Sequence, residues 1–212
     1  MNPALSSRAY DAPAQSAATS SAGDAAVVGA MRRWLERAVI GLNLCPFAKA
    51  VHVKGQVHYV VSQATDTEAL RNTLADELDA LMATDPIERD TTMLMAPTLF
   101  RGEFGFLDFN DFLAEADALL ADKGLEGTVQ IASFHPQFQF GGTTADDITN
   151  CTNRAPYPTL HLLREASVER AVEAFPEAEA IFERNMRTLE DLGLAGWQAL
   201  GVGPAEEEPP KP

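Results

Sequence analysis

Gln56-Val57-His58-Tyr59-Val60-Val61, then Leu70, Leu74, Leu78 and Leu81 at helical spacing, then Thr92-Met93-Leu94-Met95-Ala96: this stretch decides the fold class. Alternating and β-branched residues in the first run read as a strand, and the leucines read as one face of a helix. Thr65, with Glu68 three positions on, has the form of a capping box that opens that helix. The run from Thr92 to Ala96 is short and apolar enough to be a strand buried on both faces. A further helix is expected from Asp108 as N-cap, through Phe109, Phe112 and Ala116, closed by Gly124, and a third strand over Thr128–Phe134. Strands joined by helical crossovers imply parallel neighbours, because two antiparallel strands need only a tight turn.

Working outward, a helix capped by Asp24 carries Val27, Met31, Trp34, Leu35 and Val39 on one stripe. It stops near Asn43-Leu44-Cys45-Pro46, since the residue before a proline is pushed out of the α region. Thr159–Arg164 reads as a fourth strand, for which an antiparallel placement is open. A short helix capped by Ser167 follows and stops at Phe175-Pro176, and a last amphipathic helix ends at Gly193. The expected fold is α/β: a mainly parallel sheet of about four strands with helical crossovers and additional N- and C-terminal helices. A single domain over 24–200 is flanked by tails, 1–23 and 201–212, rich in Ala, Ser, Pro and Glu and expected to be disordered.

Composition bounds the function. The chain has 31 acidic against 16 basic residues, a net charge of −15, which repels nucleic acid and anionic membrane surfaces; both are set aside as partners. The two cysteines, Cys45 and Cys151, are too few for a disulfide framework and point to a reducing, cytoplasmic setting. No apolar run approaches the ~18 residues of a membrane span, and the first 23 residues lack the apolar stretch of a signal peptide. Cys45, His135, Cys151 and His161 are not paired at the close spacings of zinc motifs, so no metal site is assigned. Phosphate-cradling GxxxxGK[ST] and G-x-S-x-G elbows are missing, and no cofactor is named.

Sheets of this class gather chemistry at the carboxyl ends of their strands. There the odd positions of the third strand run Val129, Ile131, Ser133, His135, changing from apolar to polar where the strand should leave the sheet. Ser133 and His135 would then face a cleft while Phe134, Phe138 and Phe140 anchor the other side; an ordinary solvated edge strand has the same pattern. The polar stretch Gly141–Pro158 is 18 residues, a length usually functional when ordered. Within it Arg154 has the planar fork of an anion clamp, with a salt bridge to Asp146 or Asp147 as the plainer alternative. His135 titrates near neutrality and suits proton transfer, although a turn histidine beside Pro136 would look the same. The candidate site is therefore His135, Asp146 and Asp147 for chemistry and Ser133, Asn150, Asn153 and Arg154 for binding a small anionic substrate. Arg101 and Glu103, after the second strand, belong to the same edge. Cys45, with Pro46 at a first helical position, would be an N-cap thiol and a candidate nucleophile only if the fold carries residues 45–47 to the same edge; a small buried hydrophobe is its plainer reading. A non-catalytic interaction domain using the long loop as its contact surface, or a thiol-redox protein using Cys45, are the alternatives to an enzyme or binding protein. Oligomeric state is not legible.

Three segments carry a resemblance: Leu44-Cys45-Pro46-Phe47-Ala48, Ser133-Phe134-His135-Pro136-Gln137-Phe138-Gln139-Phe140-Gly141, and Asn150 to Pro158 running into Leu160-His161-Leu162-Leu163-Arg164-Glu165. Together they resemble a bacterial family labelled only as a domain of unknown function, over most of residues 30–192. The resemblance implies no reaction; it implies an aromatic residue in many members where Cys151 stands, which weighs against a ligand or nucleophile role for Cys151. Cys45-Pro46-Phe47-Ala48 alone also resembles the active-site turn of monothiol glutathione transferases. There a strand precedes the cysteine, whereas here a helical pattern does.

Overall fold

Four strands form one sheet in the order β1-β2-β4-β3, where β1 is Val57–Val61, β2 Thr91–Met95, β3 Val129–Phe134 and β4 Thr159–Arg164. The computed structural model describes residues 22–175 and 180–205. β1 and β2 are parallel, joined by helix α3 (Thr67–Ala83), as crossover rules require. β4, however, lies antiparallel between β2 and β3. The expectation of a mainly parallel sheet is therefore corrected to a mixed one, and β3 never pairs with β2. The cause is the 135–158 segment, which turns the chain back along β3's own edge. β4 then forms the antiparallel pair next to it and slots in centrally, where Leu160 and Leu162 are buried.

Helix α1 (Ala22–Trp34) continues through a π-helical stretch, Leu35–Ile40, that keeps Leu35, Ala38 and Val39 inward. Helix α3 is capped by Asp66, whose side chain accepts from Ala69 N at 2.8 Å, so the cap falls one residue after Thr65. Helix α4 (Gly105–Asp122) begins ahead of Asp108 without a side-chain cap and closes at Lys123 before Gly124, whose φ of +65° is the left-handed turn that glycine permits. Short helix α2 (Ala48–Val53) and helix α5 (Glu165–Glu173) are capped by Phe47 and Arg164; Ser167 donates instead to Asp90 at 2.6 Å. Helix α6 (Ile181–Ala199) breaks at Gly193, the expected end, and then resumes.

The register sorts side chains onto two covered faces. One carries Val60, Leu94, Leu160 and Ile131 against Leu70, Leu74, Leu78 and Leu81 of α3 and Phe109, Phe112 and Ala116 of α4. The other carries Met93, Met95 and Tyr59 against Ala30, Met31, Trp34 and Ala38 of α1. β2, buried at every position, lies between the two cores. Of the two expected tails, all but residues 22–23 and 201–205 lie outside the described residues. Residues 201–205 run against the domain: Val202 is buried, and Ala205 N donates to Tyr157 Oη at 2.9 Å.

Candidate functional site

The loops leaving the carboxyl ends of β2 and β3 meet the segment entering β4 at one edge of the sheet. Pro97, Phe100, Arg101 and Gly102 come from the first, His135, Pro136 and Gln137 from the second, and Pro156, Tyr157 and Pro158 from the third. With the start of α1 and with Pro204 and Ala205 they line a cavity of about 890 Å³. The walls are largely proline and aromatic carbon, and among the described residues Arg101 is their one permanent charge. Its Nε donates to Pro97 O at 2.6 Å, which leaves the outer guanidinium edge for other partners. No acidic side chain among the described residues forms an ion pair with it.

His135 sits at the floor, 1% exposed, between the rings of Phe106 and Phe109 of α4. Strand alternation does put Ser133 and His135 on one side, but that side is the α4-covered core face: Ser133 pairs in register with Leu160. Ser133 is thus half-buried on that face and does not line the cavity described above. Both nitrogens of His135 are engaged: Nδ1 accepts from Gln137 N at 3.0 Å and Nε2 bonds Phe100 O at 3.0 Å. An acceptor at Nδ1 and a carbonyl at Nε2 fix the neutral tautomer with its proton on Nε2. Burial lowers its pKa, with the Phe100 carbonyl pulling weakly the other way. A ring without a free lone pair is not a general base in this arrangement.

Phe100 itself is held at φ +57°, left-handed backbone that costs a bulky residue about 1–2 kcal/mol. Its carbonyl is held by His135 and closely approached by the start of α4. Besides the His135 bond, Gly105 passes so close that a Cβ there would lie 2.1 Å from Phe100 O. Glycine at 105 is what lets α4 start directly beneath this turn.

The long loop does return over the strand end, since His135 N donates to Asn153 O at 3.2 Å. Its polar side chains are spent on the loop itself. Asn150, fully buried, accepts from Phe140 N and Thr143 Oγ1, both at 2.9 Å, and donates to Thr144 O at 2.8 Å. Asp147 caps a 3-10 turn, Ile148–Thr152, by accepting from Thr149 N and Oγ1 at 2.9 and 2.7 Å, and the Thr149 hydroxyl lowers its pKa. Asp146 accepts from Thr144 Oγ1 at 2.6 Å, which lowers its pKa likewise. Arg154 donates to Phe138 O at 3.0 Å and Ala145 O at 2.6 Å, so its guanidinium ties the loop's two limbs together. Neither the aspartates, Asn150, Asn153 nor Arg154 lines the cavity.

Cys45 stands apart, half-buried against the α1-side core. Its carbonyl accepts from Ala48 N at 3.3 Å in a turn, and the cap position of α2 falls to Phe47, correcting the N-cap assignment. Cys151 is buried, and burial raises its thiol pKa. His161 packs between Met93 and Ala132 in the register, its Nε2 2.6 Å from Thr91 Oγ1; burial pushes its pKa down to about 4. Among the described residues no cluster of three or more His, Cys, Asp or Glu side chains is arranged to hold a metal.

A family model spans residues 26–199, nearly all of the described fold. The chain belongs to that family, described as a protein of unknown function (DUF1415). The expectation of membership in a domain-of-unknown-function family is met. No curated protein and no solved structure matches the chain. No described helix is long and apolar enough to cross a membrane. The cavity-lining residues that sequence reasoning passed over are Pro97, Phe100, Gln137 and Tyr157. The Pro156-Tyr157-Pro158 triplet was a visible signal of a rigid wall; nothing in the sequence marks Phe100's backbone.

Proposed function

We propose that this domain binds a small molecule in the cavity at the carboxyl edge of its sheet, and that the ligand is an anion with an apolar body. The observation that carries this is the cavity's composition: about 890 Å³, proline and aromatic walls, and one cation, Arg101, with no acidic partner among the described residues. Concave, mainly apolar sites with a few placed polar groups are the usual form of small-ligand pockets. Arg101 takes the anion-clamp role that the sequence suggested for Arg154. One guanidinium matches one carboxylate or monoanionic group and matches a polyphosphate poorly. Binding without catalysis is favoured because His135 has both nitrogens occupied and Tyr157 Oη already takes the Ala205 N–H.

A thermal-shift and native-mass panel on freshly purified protein tests this, with octanoate, benzoate, inorganic phosphate and AMP as probes. A carboxylate at ~100 times its Kd adds about 2.7 kcal/mol of stability, or roughly 5–11 °C for a domain of this size. Arg101→Gln should abolish that shift. If neither carboxylate moves Tm and no co-purified mass is found, the reading fails. Phe104 and Leu107, 62% and 58% exposed at the start of α4, favour the interaction-domain alternative. A partner that still binds Arg101→Gln but not Leu107→Glu would support it.

A further inference from the structure

We propose that His135 is the positioning residue of this cavity: as a neutral ring it locks the Phe100 carbonyl and thereby aims Arg101 into the cavity, and protonation of the ring undoes the lock. The inference rests on the binding reading for its purpose and on the loop geometry for its content.

Three facts make the ring a clamp and not mere filling. It bridges two segments far apart in sequence, the chain leaving β3 and the turn leaving β2, through Gln137 N and Phe100 O, both at 3.0 Å. It binds the carbonyl of a residue whose left-handed φ of +57° is intrinsically unfavourable, so that turn depends on outside partners. And the residue after that carbonyl is Arg101, followed by Gly102 at φ +82°; the cavity's one cation therefore hangs from the clamped turn. Gly105 leaves that carbonyl its place, since a Cβ there would meet it at 2.1 Å.

The clamp works in one protonation state. Adding a proton at Nδ1 replaces an acceptor by a donor facing the Gln137 N–H, and two donors cannot share that contact. It also places a charge between the Phe106 and Phe109 rings, where no acidic side chain among the described residues pairs with it. The neighbours from each packed element are those two rings of α4, the Phe100 carbonyl, the Gln137 amide, and the Asn153 carbonyl on the histidine's own N–H. None is titratable. Burial is the main influence on the ring's pKa, and it keeps the neutral form dominant at physiological pH.

The test uses the full chain and two variants. His135→Gln can still donate to Phe100 O and cannot titrate; His135→Phe keeps the ring packing and loses both hydrogen bonds. Nitrogen-15 spectra of wild type should show Nε2 protonated and Nδ1 bare. As pH is lowered through and below the ordinary histidine range, the amide signals of Phe100, Arg101, Gly102 and Gln137 should move together with the titration of His135, followed on its own ring nitrogens. In His135→Gln these signals should be flat over the same range. In His135→Phe the 97–105 amides should exchange faster, and octanoate affinity should fall about tenfold, the scale of one lost oriented hydrogen bond. Loop amides that ignore the His135 titration, or that titrate equally in His135→Gln, overturn the proposal. So does a His135→Phe chain with unchanged loop exchange. Because the amide signals need no ligand, failure of octanoate or benzoate to bind wild type sinks the binding reading alone.

Discussion

Replacing Asn150 by alanine separates a structural loop from a ligand-binding one. The side chain is fully buried and makes three hydrogen bonds, to Phe140 N, Thr143 Oγ1 and Thr144 O. After truncation Thr143 Oγ1 still has Phe140 O at 2.9 Å, so its loss is small. Phe140 N–H loses its partner in a half-buried setting, while the exposed Thr144 carbonyl can turn to water. One orphaned donor at about 1–3 kcal/mol, plus about 1 kcal/mol for the remaining bond, gives about 3 kcal/mol. For a domain of this length that is a fall in Tm of about 6–12 °C. Asn150→Asp is no rescue: it keeps both acceptor contacts but sets an oxygen against Thr144 O and buries a charge. Calorimetry with guanidinium melts as a cross-check measures the loss. If Asn150→Ala melts within about 2 °C of wild type, less than a single lost kcal/mol would produce, the self-tied loop is wrong. If such a variant also stops binding octanoate or benzoate, Asn150 returns as the substrate contact its sequence position suggested.

Two further outcomes follow from burial. With iodoacetamide at neutral pH the native protein should take up one label, on half-exposed Cys45, and a second on buried Cys151 only after unfolding; peptide mass mapping decides, and labelling of Cys151 in the native state would contradict its burial. His161, pushed by burial to about 4 from 6.5, is neutral when folded and takes a proton more readily when unfolded, so its contribution is fully present above about pH 6.5 and is lost as pH falls towards 4. The limiting loss is roughly 3 kcal/mol, and wild type should converge on His161→Gln across that window in denaturant melts; parallel curves would refute it.

How much of this was legible follows from what each pattern measures. Leu70, Leu74, Leu78 and Leu81 all point into the core, because a period of 3.6 and burial on one face are the same fact stated twice. Residues 91–95 are buried on both faces, as a short and mainly apolar run implies. Strand order is another kind of information. Crossover rules govern consecutive strands, and β4's central place depends on how 135–158 turns, which is fixed by Asn150 and Arg154 reaching backbone atoms that no local pattern names. Helix starts missed for the same reason: Gly105 is set by the approach of Phe100 O, not by the polar residue at 108.

The rule that strand ends gather function points to the edge where the cavity lies, and Ser133 and His135 do share one side, while the other candidate residues lie outside the cavity. Polar residues in a long loop, however, have two uses, and sequence does not tell them apart: they reach outward to a ligand or inward to orphaned backbone groups. A loop of 18 residues carries many such groups, and every one buried must find a partner. Asn150, Asp147 and Arg154 are consumed by that demand. Arg101 gives the backbone one bond, to Pro97 O, and keeps its outer guanidinium edge, and it follows the strained turn at Phe100 ahead of α4. At this edge the groups that set the cavity are a cation only partly spent on the backbone, Arg101, and the buried ring bonded to the carbonyl just before it, His135.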